Sequence, residues 1–244
     1  MINQTKEYLK RARCYHILNN LEAAITLAEK KQMSYLELIH YLFEKENAGR
    51  NQTNFSRRLK HANLPAIKTF DDFDFSYQHN ITKQKIKEWL SFVWLEQREN
   101  IILMGPPGVG KTHIAIALSY EATKAGYKTE FFTMNQIIEK LVLAENDGNL
   151  DLFLNKISKN DLLVIDELGY LSLHPHAANL FFRLINQLYE FRSIIITSNR
   201  LFNEWGVTFN DNVIATAILD RLLHHAQPFT LLGDSFRIKN FKDV

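Results

Sequence analysis

From residue 100 onward, short apolar runs alternate with segments whose apolar residues recur every three or four positions. The runs at 100–104, 128–133, 161–166, 193–198 and 229–232 are bounded by turn-forming residues and read as strands. Between them, 176–190 has the clearest helical stripe, with Leu180, Phe181, Leu184, Ile185 and Leu188 on one side. A helix over 82–97 carries Ile86, Leu90, Val93 and Trp94, and 134–160 reads as two short helices flanking Glu145-Asn146-Asp147-Gly148-Asn149. Strands separated by helices imply βαβ units, and hence a parallel, doubly wound sheet covered on both faces.

The first 65 residues have helical periodicity and no strand signal. Leu18, Leu21, Ile25 and Ala28 predict one long helix, and Ser34-Tyr35-Leu36-Glu37 has the spacing of a capping box that opens a second. The second carries Leu38, Ile39, Leu42 and Phe43, with Gly49 beyond its end, and a shorter helical stretch spans Phe55 to His61 before Pro65. Residues 66–80, where Phe and Asp alternate in Phe70-Asp71-Asp72-Phe73-Asp74-Phe75, suit an extended linker with its aromatic rings pinned to a neighbour. The expected organisation is a helical domain at 1–65, a linker at 66–80 and an α/β domain at 81–244.

The 244 residues suit one large domain and a small one, and 46% apolar content suffices for a core. Total charge is only +2, but residues 1–65 hold eleven Lys and Arg against six Glu and no Asp, a local net of +5. The N-terminal piece is therefore the expected polyanion contact. Cys14 is the only cysteine, which excludes a disulfide framework or a cysteine-based metal site. No run approaches the ~20 apolar residues of a membrane span, and no signal segment opens the chain, so a cytoplasmic, membrane-free protein is expected.

Candidate chemistry begins at Gly105-Pro106-Pro107-Gly108-Val109-Gly110-Lys111-Thr112, a full match to G-x-x-x-x-G-K-[ST]. It follows an apolar strand and precedes the helix-like 113–118, the context that a phosphate-binding loop requires. Glycines let the backbone N–H groups wrap a phosphate at a helix N-terminus. Lys111 would reach the β- and γ-phosphates of ATP, and Thr112 would ligate Mg2+.

About 55 residues further on, Leu162-Leu163-Val164-Ile165-Asp166-Glu167 is an apolar strand ending in two carboxylates. Asp166 would hold Mg2+ through water, and Glu167 would act as general base toward the attacking water. The run 193–200 ends in Thr197-Ser198-Asn199-Arg200. If this strand lies between those bearing Lys111 and Asp166, Asn199 would sit beside the γ-phosphate, with Thr197 or Ser198 as alternatives. In the amphipathic helix at 215–225, spacing alone favours Arg221 as a surface residue paired with Asp220 or the helix end; the alternative is a stabiliser of transition-state charge. His224 and His225 read as helix-end residues, with no metal assigned.

Four stretches taken together resemble the AAA+ ATPases of the initiator and helicase-loader clade, and within it the IstB-like ATP-binding proteins of insertion sequences. They are Gly105 to His113, Leu163 to Tyr170, Thr197 to Arg200 and Asp220 to His225. The resemblance covers essentially the whole chain. It implies a three-layer αβα P-loop NTPase with a parallel five-stranded sheet of order 5-1-4-3-2, preceded by a small all-helical domain.

It further implies a Mg2+-dependent ATPase that helps transposition. Such a protein forms an ATP-dependent homo-oligomer, ring or spiral, on duplex DNA with little sequence specificity and recruits or stimulates a partner transposase. The alternative is a DnaC-like replicative helicase loader. By the same resemblance His113 joins the nucleotide-binding set, Asn199 becomes the sensor residue, and Arg221 becomes an arginine finger acting across a subunit interface. Arg237 is similar to a late arginine that contacts nucleotide. Only 23 residues follow Arg221 (244 − 221), too few for a full helical lid, so a reduced lid is expected. The helical insertion at 134–160 would face nucleic acid, with Lys140, Lys156 and Lys159 toward phosphates.

Overall fold

A computed structural model describes residues 1–75, 80–170, 172–233 and 235. The chain divides into two compact units, Met1–Arg57 and Arg58–Val244.

The first unit is helical, comprising α1 (Ile2–Arg11), α2 (Tyr15–Lys31) and most of α3 (Tyr35–Ala62). Its buried residues on α2 are Ile17, Leu21, Ala24 and Ala28, at the spacing of one helix face. The capping box forms as expected: Ser34 Oγ accepts from the Glu37 N–H at 3.3 Å, and Glu37 accepts from the Ser34 N–H at 2.7 Å. Gly49 does not lie beyond the end of this helix. Helix α3 continues through it and absorbs the stretch expected separately at 55–61. The reason is tertiary, because a Cβ at Gly49 would stand 2.3 Å from the His16 ring. A glycine inside a helix costs only about 1 kcal/mol relative to alanine, too little to end a helix whose neighbour needs that space.

At the start of α2, Glu46 from α3 takes the place of a local cap. Its carboxylate is 4% exposed and accepts the Ile17 N–H at 2.8 Å and the Arg50 Nε–H at 2.6 Å. Burial raises the Glu46 pKa, but the hydrogen bonds from Arg50, Ile17 and His16 outweigh it and hold the carboxyl below its ordinary value.

The second unit opens with α4 (Lys83–Leu90) and α5 (Val93–Glu96), then alternates β1 (Asn100–Met104), α6 (Lys111–Ala125), β2 (Thr129–Thr133), α7 (Met134–Asn146), α8 (Leu150–Ile157) and β3 (Leu162–Leu168). It continues with α9 (Pro175–Leu188), β4 (Ser193–Ser198), α10 (Trp205–Phe209), α11 (Asn212–His224) and β5 (Ala226–Thr230). The five strands are all parallel in the order β2-β3-β4-β1-β5, which is 5-1-4-3-2 read from the other edge.

Alternation along each strand sorts the apolar side chains to two faces. Ile102, Met104, Phe132, Leu163, Ile165, Ile194 and Ile196 pack under α7 to α11. Ile101, Leu103, Phe131, Leu162, Val164 and Ile195 pack under α4 to α6. Both faces are covered, which is why these strands are apolar throughout.

Two local expectations are corrected. The helix over 82–97 is broken, because Phe92 adopts a left-handed backbone (φ +57) and turns its ring onto Tyr127, 5.4 Å between centroids. The last strand forms at 226–230 rather than 229–232. Its register is set by β1, from Asn100↔Ala226 to Met104↔Thr230, and Pro228, with no N–H to give, is tolerated on an edge strand. Leu231, in the expected run, is fully buried just past the strand.

Candidate nucleotide site

The site lies where β1, β3 and β4 end. Strand β4 runs between β1 and β3, the arrangement on which the assignment of Asn199 depends. Residues 105–110 turn from β1 into α6, and Gly110 caps that helix with φ +96. A side chain at Gly110 would be strained there, and its Cβ would stand 2.8 Å from the Phe73 ring. Gly105 (φ +140) is equally confined, since a Cβ would approach the Leu231 carbonyl oxygen to 2.4 Å. The loop is a backbone cradle whose glycines are required by its packing. Lys111 folds over it, its Nζ donating to the Gly105 and Pro106 carbonyls at 2.7 Å each.

The first turn of α6 sets Thr112 against the end of β3. Thr112 Oγ1 donates to Asp166 Oδ1 at 2.9 Å, and the Thr197 hydroxyl of β4 donates to the same oxygen. Asp166 is 3% exposed, so a carboxylate is held in the protein by two hydroxyl donors at the floor of the loop. Glu167, by contrast, is exposed and has a left-handed backbone at φ +66. It lies in a register shift: Ile165 pairs with Ile196 but Leu168 with Ser198, so β3 carries one extra residue. The bulge points Asp166 inward and sends Glu167 out to the cavity.

That cavity, of about 280 Å3, is lined by the phosphate loop, Thr112, Glu167, Thr197 and Asn199. The Asn199 side-chain oxygen is buried and has no hydrogen-bond partner among the described residues.

The opposite wall comes from the linker, through Lys68, Asp72, Phe73 and Asp74. Phe73 is buried and stacks edge-on against His113 at 5.2 Å, while His113 Nε2 donates to the Thr69 carbonyl at 2.8 Å. The aromatic pinning expected of 66–80 is thus present, with part of the linker serving as a wall of the site. The Thr69 hydroxyl and N–H donate to Asp72 and hold its carboxyl below the ordinary range. Sequence reasoning did not foresee Lys68, Asp72, Asp74 or Tyr170 as lining residues; the alternation of Phe with Asp is a signal for Asp72 and Asp74 alone, Tyr170 ends the stretch that begins at Leu163, and Lys68 has no signal.

Arg221 is not among the residues that line this cavity. It projects from α11 onto α9, donating from Nε to Asn186 Oδ1 at 2.9 Å, with its guanidinium 4.7 Å from the centre of the Phe182 ring. Its own chain therefore gives it no part in the site. Arg237 lies outside the described residues. The ligand atoms of Glu190, His224 and His225, all exposed, come within 4.8 Å of one another, and the His224 Nδ1 lies 2.9 Å from the Tyr189 hydroxyl. Lys140, Lys156 and Lys159 are exposed on or just after α7 and α8. Arg57 and Lys60 are exposed as well, whereas Arg58 is half-buried and donates to the Thr123 carbonyl at 3.1 Å.

The residues present fit a nucleotide and its metal. Residues 107–111 of the loop line the cavity, and Thr112 with Asp166 is an all-oxygen set of the kind Mg2+ takes. A parallel sheet of order 5-1-4-3-2, a phosphate loop after β1 and an Asp-Glu pair ending β3 define an ATP-binding P-loop protein of the AAA+ class.

Solved structures agree on the fold. The replication initiator DnaA bound to AMPPCP and single-stranded DNA matches with a TM-score of 0.59 and 24% identity, over 74% of this chain and 55% of that one. DnaI matches at 0.56 and 19%, over 68% and 91%. The family profile of the IstB-like ATP binding proteins matches residues 7–243, and the chain belongs to that family. Among its relatives, an ATP-binding protein of insertion sequence IS21 from Pseudomonas aeruginosa is 41% identical over 98% of this chain and 90% of its own length. One of insertion sequence IS5376 from Geobacillus stearothermophilus is 38% identical over 98% and 95%.

Proposed function

We propose that this protein hydrolyses ATP and, as an oligomer on duplex DNA, helps a partner transposase act. The observation that carries the hydrolysis reading is the hydroxyl-bound Asp166 beneath the phosphate loop, with Glu167 directed to the cavity beside Asn199. Thr112 and Asp166 would hold Mg2+, which would supply charge neutralisation to the nucleotide's phosphates. Lys111 exchanges its two carbonyl acceptors for phosphate oxygens. Glu167 takes a proton from the attacking water, and Asn199, whose oxygen has no hydrogen-bond partner among the described residues, orients that water. The sixth group, Arg221, points away from its own site and acts on the nucleotide of a neighbouring subunit.

Three features support the wider role. The family's relatives are ATP-binding proteins of insertion sequences. The N-terminal residues carry the positive excess, with Arg57 and Lys60 exposed. On α3, Leu36, Ile39 and Phe43 expose an apolar stripe at helical spacing that suits a protein partner. No described helix is long and apolar enough to cross a membrane.

The test is steady-state ATP hydrolysis at fixed salt, with no nucleic acid, with duplex DNA and with single-stranded DNA. Stimulation chiefly by duplex is expected. Stimulation only by single strands, or only on adding a replicative helicase, would replace this reading with that of a helicase loader.

A further inference from the structure

Nothing in the ATPase reading accounts for how Glu167 is held. It sits in a bulge, exposed, with a backbone conformation that non-glycine residues rarely adopt, and Gly169 two residues later is also left-handed at φ +100. A carboxylate on such a segment swings away from the reacting water unless something over-determines the turn. The end of β4 supplies two fasteners. Thr197 Oγ1 accepts the Glu167 N–H at 3.0 Å, which fixes the start of the bulge. Arg200 fixes its far side, because Arg200 Nε donates to the Gly169 carbonyl at 2.8 Å.

Contact with Gly169 is close on both flanks. A Cβ there would stand 3.0 Å from Arg200 Cγ and 3.0 Å from Asn199 Oδ1. The Arg200 backbone is itself anchored, since its N–H donates to Ser198 Oγ at 3.0 Å and its carbonyl accepts from the same hydroxyl at 3.0 Å. Its Nη1 stands 4.0 Å from Glu204, and Arg200 is not among the residues that line the cavity.

We propose that Arg200 is a positioning residue for the general base: its Nε–H holds the Gly169 carbonyl, and so keeps the bulge that aims Glu167 at the cavity. This rests on the ATPase reading above. The donor acts by position and not by charge. Counting from Cα, the fourth side-chain atom beyond it is Nε in arginine, Nε2 in glutamine and a carbon in lysine. Glutamine therefore restores a donor at that point without charge, while lysine keeps the charge and removes the donor.

The experiment compares wild type, Arg200→Gln, Arg200→Lys, Arg200→Ala and, as background, Lys111→Ala. Each is assayed for single-turnover ATP hydrolysis with saturating duplex DNA and for affinity toward a fluorescent ATP analogue. Misplacing a catalytic group by about 1 Å costs about 100-fold in rate. Lysine and alanine are expected to slow hydrolysis by about 10- to 100-fold, with nucleotide affinity within about twofold of wild type, and glutamine to stay within about threefold. Retained activity in the lysine variant with loss in the glutamine variant would overturn the proposal in favour of a charge effect. Loss of affinity in step with rate, or full activity in all three, would overturn it as well. Wild-type turnover no faster than Lys111→Ala is a separate outcome that overturns the ATPase reading and this inference with it.

Discussion

Replacing Thr197 with valine removes one hydroxyl and almost no volume, yet that hydroxyl has two partners. It donates to the 3%-exposed Asp166 carboxylate and accepts the Glu167 N–H. A hydrogen bond to a charged group contributes about 1.5–3 kcal/mol, and leaving a donor without its acceptor costs about 1–3 kcal/mol when it is buried. The Glu167 N–H is only partly buried, so water recovers part of the second amount, and the Thr112 hydroxyl still serves Asp166 at 2.9 Å. The expected loss is therefore about 2–3 kcal/mol. For a unit of this size, 1 kcal/mol moves the melting temperature by about 2–4 °C, so Thr197→Val should melt about 4–12 °C below wild type. Differential scanning calorimetry of the full chain reads this directly, and Thr197→Ser, which keeps the hydroxyl, should recover most of it. A valine variant melting within 1 °C of wild type would refute the bonding scheme drawn at the end of β3.

Arg221→Ala should retain ATP binding and lose hydrolysis by at least about 1000-fold in the assembled state. Mixing it with Lys111→Ala should restore part of the activity, because each supplies what the other lacks; a mixture with no recovery would place Arg221 outside the subunit interface. Reversing Lys140, Lys156 and Lys159 to Glu should weaken duplex binding and make its dependence on salt shallower, measured by fluorescence anisotropy across a salt series, and unchanged binding would remove the insertion from the DNA surface. Glu46 gives the helical unit a pH dependence. Its carboxyl titrates below the ordinary 4.5, so its contribution is full above that pH and is lost as the pH falls through the lower, folded value. Thermal melts between pH 6 and pH 3 should show that acid loss in wild type and a flatter limb in Glu46→Gln.

Much of this molecule is legible from neighbours along the chain. The phosphate loop, the apolar runs ending in Asp166 and Asn199, the stripe of α9 and the Ser34 capping box depend on residues within a turn or a strand of each other. Local sterics and periodicity therefore specify them. The same locality explains the errors. Gly49 looks like a helix end until His16 is seen to occupy the space a side chain would need, and the 82–97 stripe looks continuous until Phe92 turns toward Tyr127. Strand β5 starts three residues earlier than its apolar run because hydrogen bonds from β1, more than a hundred residues earlier, choose its register.

At the site, residue types were evident but their fastening was not. Thr197 appeared only as an alternative to Asn199, and Arg200 only as the end of a stretch. Sheet order alone brings β4 between β1 and β3, and with it the hydroxyl onto Asp166 and the guanidinium onto Gly169. The sequence by itself determined which groups could bind and cleave a nucleotide. The tertiary structure decided which of them are held in place and by what, because contacts across 30 or more residues follow from chain packing and leave no periodic trace in the chain.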